Sequence, residues 1–275
     1  MSETANAPIL LVGAGRMGGA LLKGWLAQGI EPGRIFVEDP SPGAGIARII
    51  AEAGLGTGVP PVPPGVIVLA VKPQLMDQVL PGVAPMAGPD TVVLSIAAGR
   101  TIAAMAAHFT QGIAIVRAMP NTPAAIGRGI SALYANDTVR PEQAQLCERL
   151  LAAAGETVWL DDEAQMDAVT AVSGSGPAYV FLLAECLAEA GVAAGLAPEL
   201  AARLARATVS GAGELLHQSE LDPAELRKNV TSPGGTTAAA LAVLMGEPGA
   251  ADAPLRELLR KAVDAAARRS RDLAS

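Results

Sequence analysis

The residues best suited to holding a small anion are concentrated in Asn229-Val230-Thr231-Ser232-Pro233-Gly234-Gly235-Thr236-Thr237. Pro233 and the Gly234-Gly235 pair exclude both helix and regular strand, while Ala238 to Met245 is a strong helix-forming run. The glycines therefore deliver the chain into a helix N-terminus, with Thr236 or Thr237 as the expected N-cap. Such a loop presents free backbone N–H groups at the positive end of a helix dipole, with hydroxyls in front of them. An ordinary Pro-Gly turn with a threonine cap is the plainer alternative, but it requires fewer hydroxyls and glycines than stand here.

A second constellation lies near the start of the chain. Ile9-Leu10-Leu11-Val12 is a short apolar run that reads as a buried parallel strand, and it is followed at once by Gly13-Ala14-Gly15-Arg16-Met17-Gly18 and a helical segment from Met17 to about Gln28. In that context Gly13 allows a tight turn, Gly15 a close approach of a pyrophosphate, and Gly18 close packing of helix on strand. The next strand, Arg34 to Val37, ends at Glu38 and Asp39. A carboxylate about 20 residues or slightly more beyond such glycines is placed to accept hydrogen bonds from the adenosine ribose. The acidic pair would also repel a 2′-phosphate, and the nearest downstream cation is Arg48. These residues favour NADH over NADPH; the plain alternative is two acids solvating a turn.

Further strands are expected at Val66 to Val71, Val92 to Ile96, Ile113 to Arg117, Ser131 to Ala135 and Thr157 to Leu160, with helical segments at Ala44 to Ala53 and Pro141 to Ala154 between them. Strands alternating with helices predict a doubly wound, parallel α/β sheet of Rossmann type. Residues just beyond the carboxyl ends of its strands would face the ligand crevice. These are Ala70, Val71, Lys72 and Pro73 after one strand, the small Ala97 and Ala98 after the next, and Asn121 in the Met119-Pro120-Asn121-Thr122-Pro123 loop.

After Leu160 helical periodicity replaces the strand pattern: Ala164 to Val172, Ala178 to Gly191, Pro198 to Gln218, Pro223 to Lys228, Thr237 to Met245 and Pro254 to Asp272. The expected division is a dinucleotide-binding domain over 1–161 and an all-α domain over 162–275. Ser173-Gly174-Ser175-Gly176-Pro177 interrupts two apolar helices, either as a linker or as a kinked junction at a site.

The 275 residues are 51% hydrophobic but only 3% aromatic, so the core must be built from Ala, Val, Leu and Ile, with at least one close helix–helix contact. A net charge of −7 opposes nucleic-acid binding, so an anionic ligand needs local donors. Cys147 and Cys186 have no metal spacing and suggest buried thiols in a reducing, cytosolic setting. The polar stretch Met1 to Pro8 has no signal-peptide core, and Glu185 and Glu189 oppose a membrane span over Ala178 to Ala197. Neither His108 nor His217 sits beside a conspicuous nucleophile, and no metal-ligand cluster stands out. What remains is a nicotinamide site together with an anion-holding loop, a combination suited to hydride transfer to a small carboxylate-bearing molecule.

The loop at 229–241 resembles the signature of pyrroline-5-carboxylate reductases. The resemblance extends through Gly-Ala-Gly-Arg-Met-Gly, Ala-Val-Lys-Pro, Ser-Ile-Ala-Ala-Gly, Met-Pro-Asn-Thr-Pro and Ser-Gly-Ser-Gly-Pro-Ala-Tyr. It implies reduction of the C=N bond of 1-pyrroline-5-carboxylate to L-proline by NADPH or NADH. The substrate carboxylate would rest on the N–H groups of Gly234, Gly235 and Thr236, and the Thr237 hydroxyl, the catalytic group, would hydrogen-bond the ring nitrogen and assist its protonation. Asn229 would bridge substrate and cofactor, and Glu163 matches a position near the substrate. Family members that use the phosphorylated cofactor often carry a small hydroxyl residue, or a basic neighbour, where Asp39 stands; this sequence departs from that pattern, which favours NADH. The resemblance also implies homodimers with interlocked helical domains, assembled in some members into a ring of dimers. A related imine reductase, a 3-hydroxyacid dehydrogenase and a non-catalytic nucleotide sensor are the competing readings. The dehydrogenase would need a lysine on a helix of the second domain, and neither Lys228 nor Lys261 has that context.

Overall fold

A computed structural model describes residues 7–246 and 253–274. The chain divides into two compact units, one of residues 1–174 with 267–275 and the other of 175–266.

The first unit is built on one eight-stranded sheet: β1 (Ile9–Val12), β2 (Ile35–Glu38), β3 (Gly56–Thr57), β4 (Val66–Leu69), β5 (Val92–Ser95), β6 (Ala114–Met119), β7 (Gly129–Ala135) and β8 (Gly155–Trp159). Their spatial order is β3-β2-β1-β4-β5-β6-β7-β8. The first six strands are parallel and repeat the order of a doubly wound dinucleotide-binding sheet, whose direction of winding reverses between β1 and β4. The expectation of a wholly parallel sheet needs one correction. β7 runs antiparallel to β6, pairing Arg117 with Tyr134, and β8 returns parallel to β7. The compact Pro120–Arg128 connection between β6 and β7 contains no crossover helix, only a 3₁₀ turn at Thr122–Ile126, so an antiparallel return is the geometry it permits.

Strand residues alternate between two cores. Ile9, Leu11, Val66 and Val68 face the side packed by Leu21, Leu22 and Trp25 of α1 (Arg16–Ala27) and Leu150 and Leu151 of α5 (Pro141–Ala152). Leu10, Val12, Ile67 and Leu69 face Met76 and Leu80 of α3 (Met76–Val83) and Met105 of α4 (Ile102–Ala106). Each fully buried apolar side chain of this kind contributes about 1.5–3 kcal/mol. The Trp25 indole N–H donates to the Leu150 carbonyl at 2.8 Å, which ties α1 to α5 and satisfies the one polar atom that the ring buries. The helix α2 (Ala44–Ala53) follows β2, while α3 and α4 lie in stretches whose short apolar patterns gave no helical expectation. Cys147 is buried within α5, where desolvation pushes its thiol pKa up.

Beyond β8 the chain forms a 3₁₀ turn at Glu163–Gln165, α6 (Met166–Val169) and a π-helical turn at Thr170–Gly174, where an uninterrupted α-helix was expected. The second unit contains α7 (Gly176–Ala193), α8 (Pro198–Gln218), α9 (Pro223–Asn229), α10 (Thr236–Met245) and the beginning of α11 (Pro254–Ala274). Here the expected close helix contact is found. A Cβ at Gly191 of α7 would lie 3.2 Å from the Ala201 Cβ of α8, so small residues set the approach of this pair. Yet α7 buries no residue: Phe181, Leu182 and Leu183 are 62%, 57% and 55% exposed. Cys186, expected to be buried, is exposed on the same helix.

Candidate active site

The glycine loop after β1 is shaped by steric necessity. Gly13 has φ +88°, and a Cβ there would lie 2.9 Å from Val71 Cγ1. A Cβ at Gly18 would lie 2.2 Å from the Gly13 carbonyl oxygen, so α1 can approach the loop only with glycine at that position. At Gly15, the residue preceding α1, a Cβ would meet no protein atom. That open side, at a helix N-terminus without a side-chain cap, fits a pyrophosphate. A neighbouring cavity of about 360 Å³ is lined by Ala14, Gly15, Arg16, Lys23, Gly43 and Ala125, two of them cations that could offset the charge of a diphosphate.

Two bonds hold this loop to the end of β2. The Gly13 N–H donates to the Glu38 carbonyl at 2.9 Å, and the Ala14 N–H donates to Asp39 Oδ2 at 2.7 Å. The other carboxylate oxygen, Oδ1, accepts the Ser41 N–H at 2.9 Å. Asp39 is therefore a bracket between the glycine loop and the following turn. Arg48 leans on Glu52 at 3.7 Å.

On the other side of β1 the loops after β4 and β5 carry Ala70 to Pro73 and Ala97 to Ala98. The strand at β4 ends at Leu69, two residues earlier than expected, because Lys72 precedes a 3₁₀ turn at Pro73–Leu75. Asn121 follows β6, and both halves of its amide are engaged: Oδ1 accepts the Ile130 N–H at 3.0 Å, and Nδ2 donates to the Ser173 hydroxyl at 3.2 Å. It clamps its own loop against β7 and the π-helical turn. That turn packs so closely that a Cβ at Gly174 would lie 2.6 Å from Met119 Cε. A π-turn inserts an extra residue into a helix and recurs at functional sites, and it is the physical form taken by the interruption at Ser173-Gly174.

Glu163 lies in the same unit. Its Oε1 accepts from Arg117 Nη1 at 2.8 Å and from the Ile102 N–H at 2.9 Å. Arg117, only 5% exposed on β6, is the buried partner of Glu163 and stands outside the expected site residues. The available signal was a lone cation inside an apolar strand, which requires a buried partner.

Within the second unit, Ser232 to Gly235 form a tight turn closed by the Gly235 N–H on the Ser232 carbonyl at 3.0 Å. Pro233 and Gly234, with φ +69°, occupy its central positions, the pattern of a type II turn. The N-cap of α10 is Gly235 rather than Thr236 or Thr237, because its extended backbone (φ −79°, ψ 172°) already turns the chain into the helix. Thr236 and Thr237 become the first two helical residues, and no side-chain cap bond occupies the N-terminus. The first-turn N–H groups of Thr236 and Thr237 are thus directed out of the helix end. Asn229 closes α9, and the Thr231 hydroxyl donates to the Arg227 carbonyl at 2.6 Å. A cleft of about 410 Å³ beside the loop is lined by Arg227, Lys228, Thr231 and Leu241, which supplies local cations to a chain of negative net charge.

The first unit thus carries Val12 to Gly18, Asp39, Ala70 to Pro73, Ala97, Ala98 and Asn121 at or after the ends of its parallel strands, with Glu163 on Arg117 and Ile102, and the second carries Asn229 at the end of α9 and Gly234 to Thr237 at the start of α10.

Comparison with known proteins gives this arrangement a family. Residues 163–273 match the family model described as pyrroline-5-carboxylate reductase dimerisation, and residues 8–99 match the one described as NADP oxidoreductase, coenzyme F420-dependent. The pyrroline-5-carboxylate reductase of Pseudomonas aeruginosa is 44% identical over 97% of this chain and 96% of its own length. A solved pyrroline-5-carboxylate reductase from Coxiella burnetii superposes with a TM-score of 0.89 at 35% identity, over 98% of this chain and 99% of that one. The Plasmodium falciparum pyrroline carboxylate reductase, solved with NADP bound, gives 0.78 at 29% identity, over 98% of this chain and 99% of that one. With the glycine loop, the turn into α10 and near full-length identity in agreement, the chain belongs to the pyrroline-5-carboxylate reductase family.

Proposed function

We propose that this chain reduces the C=N bond of 1-pyrroline-5-carboxylate to give L-proline, the last step of proline biosynthesis. The observation that carries the reading is the Ser232–Gly235 turn, which sets the open N-terminus of α10 in a chain aligned over nearly all its length with a reductase of this substrate. A reduced nicotinamide dinucleotide, when bound, supplies the hydride. The chain's residues bind and orient. The N–H groups of Gly15 and Arg16 receive the pyrophosphate, and the Ala70–Pro73 and Ala97–Ala98 loops with the Asn121 loop flank the nicotinamide half.

The substrate carboxylate is assigned to the N-terminus of α10, with Gly234, Gly235 and Thr236 as its cradle. Because the Gly235 N–H is engaged by Ser232, Gly235 contributes backbone conformation, while Thr236 and Thr237 contribute donors. The Thr237 hydroxyl hydrogen-bonds the ring nitrogen. As hydride reaches the imine carbon, the C=N π pair moves to nitrogen, which takes or already holds the proton. A cyclic imine that enters protonated needs no strong acid, so a hydroxyl suffices. Asn229 is assigned to the substrate loop, and Glu163 is held by Arg117 where the dimerisation match begins. The functional division assigned is 1–161 and 162–275, supported by the end of the sheet at Trp159 and the start of the dimerisation match at residue 163.

NADH is the preferred cofactor in this reading. What supports this is the Asp39 carboxylate held beside the glycine loop by the Ala14 N–H, which would repel a 2′-phosphate, and the guanidinium of Arg48 turned to Glu52. The enzyme is assigned to the cytosol as a homodimer. The run 163–193 is long and apolar enough to cross a membrane by length and composition, but it begins the dimerisation match, and a second copy would cover the exposed Phe181, Leu182 and Leu183.

The test is loss of reduced-nicotinamide absorbance, with NADH and NADPH in parallel, when 1-pyrroline-5-carboxylate is added to purified protein. Light scattering reads the dimer mass, or a multiple of it for a ring of dimers. Folded protein that binds dinucleotide yet oxidises neither cofactor would overturn the substrate assignment.

A further inference from the structure

Arg100 stands outside every motif named above, yet it joins two of the loops that carry them. It follows Gly99, whose φ of +71° turns the chain out of the Ala97-Ala98 segment, and precedes Thr101, the N-cap of α4. Its Nε donates to the Pro73 carbonyl at 3.3 Å, and its Nη2 is paired with Asp77 Oδ2. Asp77, in the first turn of α3, also lies 3.4 Å through Oδ1 from His108 Nε2. The Arg100 hydrogen bond, foremost, holds the Asp77 carboxyl below its ordinary pKa. One guanidinium thus ties the loop after β5 to both the corner after β4 and the helix that follows it.

The topology gives that tie a consequence. The dinucleotide crosses the sheet where the winding reverses, with the adenosine toward β2 and the nicotinamide toward β4 and β5. Ala70 and Val71 are pressed against Gly13, so the pyrophosphate loop fixes only the near edge of the β4 corner. Its far edge, at Pro73, is held by Arg100. We infer that Arg100 is a positioning residue for the nicotinamide half of the cofactor, setting the spacing between the Lys72-Pro73 corner and the Ala97-Ala98 segment while touching neither substrate nor cofactor. Asp77 is its anchor, because a charge-assisted bond confines a fork that would otherwise swing into solvent. This rests on the dinucleotide reading of the crevice.

The experiment measures binding of NADH and of ADP-ribose, which lacks the nicotinamide, by the parent enzyme and by Arg100→Ala, Arg100→Lys and Asp77→Asn. Removing the bracket frees the Pro73 corner to move relative to the Ala97-Ala98 segment, so Arg100→Ala should weaken NADH binding by about five- to tenfold. ADP-ribose binding should not change. The Lys variant, which can reach one partner but cannot fork to both, should fall between parent and Ala, and Asp77→Asn should move in the same direction as Ala. Equal losses for both ligands, or unchanged NADH affinity in Arg100→Ala, would overturn the positioning role. A parent enzyme that fails to bind ADP-ribose would instead remove the dinucleotide reading itself.

Discussion

Replacing Asp39 with asparagine changes charge while preserving shape, and its effect can be worked from the bracket that the carboxylate forms. Asp39 accepts the Ala14 N–H at 2.7 Å and the Ser41 N–H at 2.9 Å, and the amide can retain only one acceptor oxygen for these two donors. Losing one bond to a charged acceptor costs about 1.5–3 kcal/mol, nearer the lower figure for a half-buried side chain. The ribose bond proposed for Asp39 would be of similar size, so NADH should lose about tenfold or more in kcat/KM. For NADPH a second term has the opposite sign. A carboxylate about 5 Å from a phosphate charge repels it by about 3 kcal/mol at an effective dielectric constant near 20, before screening. Removing that charge should offset the weakened loop. The NADPH/NADH ratio of kcat/KM should therefore rise by about thirtyfold or more, which initial rates at subsaturating cofactor measure directly. A parent enzyme that prefers NADPH tenfold, or a variant with an unchanged ratio, would refute the reasoning.

Other consequences follow from the same geometry. Thr237→Val keeps the shape of the α10 N-terminus and removes one hydroxyl, so kcat/KM should fall by about 1–3 kcal/mol of transition-state stabilisation with little change in melting temperature; unchanged steady-state kinetics would remove Thr237 from the chemistry. Glu163→Gln leaves the buried Arg117 charge without its anion, and chemical denaturation should show a loss of about 2–3 kcal/mol, discounted because the Glu163 side chain is a quarter exposed. The carboxyl pKa of the partly exposed Glu257 is held at about 2, first by its hydrogen bond from Arg260. A depressed carboxylate stabilises above its unfolded pKa and loses that contribution as pH falls through the folded value. The melting-temperature difference between the parent and Glu257→Gln should accordingly be full at pH 6 and shrink from about 4.5 toward 2. A difference that stays constant over that range would contradict the pairing.

Much of the first unit was legible because its chemistry depends on backbone shape. Only glycine fits at Gly13 and Gly18, and runs such as Val66–Leu69, buried throughout, leave little choice but a parallel strand. The reversal at β7 was not legible, since an apolar run carries no mark of direction. The helices α3 and α4 were missed because they are short, and α3 contains Pro81, which reads as a breaker. The threonines before α10 were read as caps because a hydroxyl usually performs that task; here Gly235 takes the position, leaving the hydroxyls free of it. Partners distant in the chain, such as Arg117 with Glu163 or Arg100 with Pro73, emerge only when the strands have been ordered.

The central claim is hydride transfer to the imine carbon. Its most direct test is a single turnover with NADH deuterated at the transferable position and 1-pyrroline-5-carboxylate, with the product read by mass spectrometry and NMR. The account predicts L-proline carrying one deuterium on the ring carbon bonded to nitrogen and remote from the carboxylate. Cofactor oxidation without deuterium at that carbon, or no oxidation by a folded enzyme that binds NADH, would contradict it.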